Sequence, residues 1–105
     1  MGVNGFRIVA QVNDVDEDDV IKASVGDKEV AIYNVEGEFF ATELMCTHEA
    51  FPLDGGYCED GKVECPLHSG WFDIKTGKAL SAPCIVDLKI YDVKVDGNNI
   101  LICLD

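Results

Sequence analysis

The 105-residue chain lacks long apolar runs, and its first residues lack a leader pattern. No apolar run approaches the ~20 residues that a membrane-spanning helix needs. Residues 1–11 do not combine a basic start with a long apolar stretch, which is the pattern of a secretory signal. We therefore expect a cytoplasmic protein with no membrane partner.

Basic residues are scarce. The chain has 8 Lys and Arg against 20 Asp and Glu, for a formal net charge of −12. Because phosphate backbones are bound by clustered Lys and Arg, this balance argues against nucleic acid as a partner. Two interpretations of the acidic surface stay open, namely solubility and electrostatic steering toward a basic patch on a partner protein.

Helical periodicity is also missing. No stretch of about ten residues or more has apolar residues at a 3.6-residue spacing. Alternating patterns instead predict strands at residues 5–12, 20–25, 29–35, 38–42, 89–95 and 99–104. The short turns at Glu36-Gly37 and Asp96-Gly97-Asn98 indicate two hairpins. The sequence therefore predicts a mainly β fold with antiparallel strands.

The middle of the chain has a different composition. Residues 45–83 hold all three prolines and only short strand patterns, at 62–65 and 71–74. A chain of this length is expected to form one domain. We therefore predict a single domain spanning residues 1–105, in which a loop-rich subdomain of about residues 44–83 is inserted into a basal β scaffold.

The chain has only two histidines, and each lies close to a cysteine, in Cys46-Thr47-His48 and Cys65-Pro66-Leu67-His68. Two thiolates and two imidazoles can hold structural zinc, although the usual zinc motifs separate paired cysteines by two to four residues. They can also hold a 2Fe–2S cluster in which two His replace two Cys on one iron. The closely spaced mixed pairs favour the cluster, because each loop can give its Cys to one iron and its His to the other.

Three further cysteines remain, and the simplest interpretation of each is a small buried hydrophobic residue: Cys58, Cys84 and Cys103. No catalytic signature surrounds them.

The two Cys/His motifs, together with Gly70-Trp71-Phe72-Asp73 after the second one, resemble the Rieske iron–sulfur family. Ser81-Ala82-Pro83 and residues 88–97 are similar to the small Rieske ferredoxins, which carry electrons to aromatic-ring-hydroxylating dioxygenases. The resemblance implies an antiparallel β-sandwich with the cluster at its tip. It also implies one 2Fe–2S cluster per chain, with Cys46 and Cys65 on one iron and His48 and His68 on the other.

The same resemblance implies an electron carrier rather than an enzyme. A mononuclear iron oxygenase needs a separate 2-His-1-carboxylate site, and both histidines are already assigned to the cluster. The chain also has no Gly-rich dinucleotide motif, so it depends on an external reductase. We expect a monomer that docks transiently with a ferredoxin reductase and a terminal oxygenase.

The chain departs from the high-potential members of the family at three positions. Leu67 stands where respiratory Rieske proteins have a disulfide cysteine, and Gly70 and Phe72 replace a Ser and a Tyr whose hydroxyls donate hydrogen bonds near the cluster. Without these donors the reduced state is less stabilised, so we predict a potential near −150 mV, the low end of the family range. Two alternatives stay open, a Rieske-like small subunit of nitrite reductase and a structural zinc module that binds a partner protein.

Overall fold

The computed structural model describes residues 5–46, 52–66, 70–82 and 86–103, and these ranges form two antiparallel sheets. The strands of the larger sheet are β1 Phe6–Gln11, β2 Asp19–Val25, β3 Lys28–Val35, β4 Glu38–Glu43, β8 Ile90–Asp96 and β9 Asn99–Cys103. The smaller sheet contains β5 Tyr57–Glu59, β6 Lys62–Glu64 and β7 Trp71–Asp73. Short 3-10 turns lie at Val12–Asp14 and Leu53–Gly55. No helix within these ranges has the length and apolar character to cross a bilayer.

The larger sheet has the strand order β1-β9-β8-β4-β3-β2 and curls on itself. Its two edge strands, β1 and β2, contact each other, so the sheet forms a half-barrel. The hairpins β3–β4 and β8–β9 are those that the two turn motifs predicted. The mainly antiparallel β fold predicted from the sequence is confirmed, and the observed strands lie within a residue or two of the predicted ones.

Strand β3 is buried on both faces, because alternate residues point into two different cores. Val30 and Ile32 pack inside the half-barrel with residues of β1, β2, β4, β8 and β9. Ala31 and Tyr33 point the other way, into a second core shared with the smaller sheet. The smaller sheet thus packs on the outer face of the half-barrel, as the second layer of a sandwich.

The smaller sheet contributes every second side chain to this second core. Cys58, Val63 and Phe72 are paired across β5, β6 and β7, and all three are buried. Strand β5 is absent from the sequence-based prediction, because its three residues between Gly56 and the turn at Asp60 are too few to show an alternating pattern. The sheet therefore presents one apolar face to the half-barrel and turns its other face away from the core.

A buried pair of hydroxyls lies in the second core where β3 meets β4. The side chains of Tyr33 and Thr42 are fully buried, and the two hydroxyl oxygens are 2.8 Å apart. Thr42 Oγ1 donates its only proton to the Glu43 carbonyl at 2.8 Å, so the Tyr33 hydroxyl must be the donor to Thr42. This chain of hydrogen bonds connects β3 to the end of β4, from which the first cysteine motif continues.

Replacing Tyr33 by Phe is expected to destabilise the protein by about 1–2 kcal/mol, because Thr42 Oγ1 loses a buried hydrogen-bond donor while the packing is kept. Urea unfolding of the wild type and the variant measures the difference. The matched control is Tyr57→Phe, which removes an exposed hydroxyl bonded to Glu59 and should change stability by less than about 0.5 kcal/mol. Equal losses in the two variants would contradict a role for the buried pair.

Candidate metal centre

The first cysteine motif begins where β4 ends. Leu44 and Cys46 are buried, and Met45 forms an isolated β-bridge with Pro52. The Leu53 N–H also donates to the Leu44 carbonyl at 2.8 Å. Backbone pairing therefore ties the chain together on the two sides of residues 47–51.

The second motif is tied in the same way. Strand β6 ends at Glu64, and the N–H of the next residue, Cys65, donates to the Gly70 carbonyl at 2.7 Å. Strand β7 starts at Trp71, whose N–H donates to the Ser81 hydroxyl at 3.1 Å. The hydrogen bond between Cys65 and Gly70 thus joins the chain on the two sides of residues 67–69.

Both cysteines belong to the second core. Cys46 is 4% exposed and Cys65 is 1% exposed. Around them the same core contains Leu44, Leu53, Val63 and Phe72. Two thiols from different loops are therefore placed in one water-poor, apolar environment, as a buried thiolate-ligated centre requires.

Gly56 allows the chain after the first loop to approach the strand that leads to Cys65. A Cβ at this position would lie 2.2 Å from the Glu64 carbonyl oxygen and 3.1 Å from that of Leu53. Real side chains do not tolerate such distances, so only glycine fits here. The Gly56 N–H donates to the Leu53 carbonyl at 2.9 Å, which closes the short turn at Leu53–Gly55 against β6.

His48 and His68, the predicted imidazole ligands, lie outside the described residues, as does Cys84. Within the described ranges there is no group of three or more His, Cys, Asp or Glu that could hold a metal ion. The donors that the structure does place are the two thiols of Cys46 and Cys65. Soft thiolates are the ligands of zinc and of iron–sulfur clusters, so these residues fit the cysteine half of the predicted site.

Cys58 has a different environment, although it belongs to the same core. It is paired with Val63 in the smaller sheet, and burial, with the nearby Asp19 and Asp18 charges, raises the pKa of its thiol to about 12. A thiol with this pKa is protonated at neutral pH. Cys58 is therefore the small buried hydrophobic residue that the sequence predicts, and Cys103 is half-buried in β9.

The Rieske [2Fe-2S] domain model matches residues 5–92. Together with the two buried thiols at the bases of two loops, this match places the chain in the Rieske [2Fe–2S] family, and its cofactor is a 2Fe–2S cluster. The predictions of family and cofactor are confirmed, and zinc is not supported.

Within this family the chain is similar to small ferredoxins. It is 45% identical to the ferredoxin component of a naphthalene 1,2-dioxygenase system from Pseudomonas putida, over 99% of both proteins. The solved ferredoxin of Sphingomonas yanoikuyae B1 is 34% identical, with a TM-score of 0.89 over 94% of this chain and 98% of that one. A ferredoxin in complex with the oxygenase of carbazole 1,9a-dioxygenase is 31% identical, with a TM-score of 0.87 over 95% and 94% of the two chains. The prediction of an electron-transfer component rather than a catalytic oxygenase is confirmed.

Proposed function

We propose that this chain is the ferredoxin of a multicomponent aromatic-ring dioxygenase, and that it carries one electron at a time from a reductase to the terminal oxygenase. The observation that supports this most directly is the likeness, over nearly the full length of both chains, to a ferredoxin component of a naphthalene dioxygenase system. The solved complex of a similar ferredoxin with its oxygenase supports an oxygenase as one docking partner. The carrier acts in the cytoplasm, as a monomer that docks transiently.

The proposed cluster ligands are Cys46 and Cys65 on one iron and His48 and His68 on the other. The cluster supplies reversible one-electron chemistry, because its core changes charge by one unit between the oxidised and reduced states. The protein holds the two thiol ligands in the apolar core and ties each ligand loop at its base. Residues 44–83 act as the cluster-binding subdomain in this proposal, and the half-barrel is its support.

A permanently bound small subunit of nitrite reductase is the less favoured function. The similar curated proteins are named as ferredoxin components of dioxygenase systems, which points to a separate carrier.

Iron and acid-labile sulfide analysis, with an EPR spectrum of the reduced protein, tests the proposed centre. We expect about two irons and two sulfides per chain, and a signal with the low average g-value of an imidazole-ligated 2Fe–2S cluster. Turnover of an aromatic substrate must then depend on this protein when it is combined with a ferredoxin reductase and a terminal dioxygenase. One bound metal without sulfide would refute the cluster, whereas a complete cluster without turnover would refute the dioxygenase role alone.

A further inference from the structure

The outer face of the β5–β7 sheet carries both aromatic and acidic side chains. Because Cys58, Val63 and Phe72 point into the core, the alternate residues of the three strands point away from it. We call these residues the outer face: Tyr57, Glu59, Lys62, Glu64, Trp71 and Asp73. They form two cross-strand rows, one through Tyr57, Glu64 and Trp71 and the other through Glu59, Lys62 and Asp73.

The two aromatic rings of the outer face contact each other, with Tyr57 exposed and Trp71 half-buried. Tyr57 is 58% exposed, and its ring contacts that of Trp71 edge-on, with centroids 6.3 Å apart. The Tyr57 hydroxyl donates to Glu59 Oε1 at 3.0 Å. Tyr and Trp side chains that already contact each other lose little entropy on binding, and they are the residue types that dominate protein interfaces.

The charges of the outer face favour a basic partner. The outer face has a negative net charge, because it carries the carboxylates of Glu59, Glu64 and Asp73 and only one ammonium, that of Lys62. Lys62 Nζ already lies 5.2 Å from the centroid of the Trp71 ring, so this ring accepts a cation. An arginine of a partner can stack on an exposed ring and pair with a neighbouring carboxylate at the same time, because its guanidinium is planar and carries several donors.

The outer face also adjoins the second ligand loop. Trp71 directly follows Gly70, whose carbonyl accepts the Cys65 N–H, and Glu64 directly precedes Cys65. A partner that covers the Tyr57–Glu64–Trp71 row therefore lies next to the backbone that carries a cluster ligand. We propose that the outer face is the docking surface for an electron-transfer partner with a basic, arginine-bearing surface. The redox part of this proposal rests on the proposed function above.

The test is the rate at which the reduced protein passes its electron to cytochrome c, a basic one-electron acceptor protein. One electron leaves the reduced cluster and converts ferric haem to ferrous haem. At low ionic strength, Glu59→Lys and Tyr57→Ala are each expected to lower the second-order rate constant by roughly fivefold or more. Raising the salt concentration to about 0.5 M should remove most of the Glu59→Lys effect by screening.

The matched control is Asp96→Lys, which makes the same charge change on an exposed residue of β8. Strand β8 starts beside Thr42 and runs away from Cys46, so Asp96 lies far along the scaffold from the ligand loops. We expect this control to lower the rate by less than about twofold. An equal loss in Glu59→Lys and Asp96→Lys would show that only net charge matters, and this would overturn the proposal, as would unchanged rates in both outer-face variants.

A binding measurement separates docking from electron transfer. Trp71 is the only tryptophan, so its indole N–H gives a single NMR signal from the labelled protein. This signal should shift when unlabelled cytochrome c is added to the wild type, and much less with Glu59→Lys. The proposal fails if the indole signal does not move while signals elsewhere do. Neither measurement uses a dioxygenase, so a failure of the proposed function leaves the result interpretable.

Discussion

Replacing Cys65 by Ala is expected to remove the cluster, with iron and sulfide contents falling by roughly tenfold or more. Cys65 is almost fully buried just after the end of β6, and its thiol lies in the same apolar core as that of Cys46. An alanine there supplies no ligand in place of the lost thiolate. The folded state also loses a group that only it can bind, so the melting temperature should fall. Metal analysis, visible absorbance and thermal unfolding followed by circular dichroism measure these effects.

Cys58→Ala is the matched control, because it removes a thiol from the same core. Cys58 lies outside the two Cys/His motifs, is paired with Val63 in the smaller sheet, and has a thiol pKa raised to about 12 by burial. We expect the wild-type content of iron and sulfide in this variant, with only the modest loss of stability that follows from a small cavity. Loss of the cluster from Cys58→Ala, or its retention in Cys65→Ala, would refute the proposed ligand set.

Replacing Phe72 by Tyr is expected to raise the reduction potential by tens of millivolts. Phe72 is fully buried in the core that holds Cys46 and Cys65. A hydroxyl added there is a hydrogen-bond donor in a water-poor environment, and such a donor favours the more negative, reduced state of the centre. A hydrogen bond to a charged group contributes ~1.5–3 kcal/mol, which sets an upper limit of ~65–130 mV for one electron. Protein-film voltammetry measures the shift.

Phe39→Tyr adds the same hydroxyl at a position that packs against the core inside the half-barrel. Its potential should stay within about 10 mV of the wild type, because distant dipoles are screened. A fall in the potential of Phe72→Tyr, or equal shifts in the two variants, would show that another feature sets the low potential predicted for this chain. Iron content must be equal in all samples, since a poorly loaded variant reports on assembly instead.

The sequence predicts the scaffold strands well, because each is long enough to show alternation and is bounded by a recognisable turn. The hairpin at Glu36-Gly37 is an example, since both residues have the positive φ that such a tight turn needs. The local spacing of Cys and His likewise predicts Cys46 and Cys65 as ligands, and the structure places both in one buried core. These features depend only on neighbouring residues.

The arrangement of the smaller sheet could not be predicted from local patterns. Three residues of β5 carry no periodicity, and their partners in β6 and β7 follow from long-range packing. The fit of Gly56 against the Glu64 carbonyl is likewise a contact between two backbone segments, which no spacing reveals. The row that joins Tyr57, Glu64 and Trp71 exists only once this register is set.

The two-sided burial of β3 has a consequence for how the protein unfolds. Val30 and Ile32 stabilise one core, and Ala31 and Tyr33 stabilise the other, so a single backbone segment is common to both. If β3 leaves one core as that layer unfolds, the other core loses the side chains that β3 contributes to it. We therefore expect the backbone amides of β3 to open to solvent only when the whole domain unfolds.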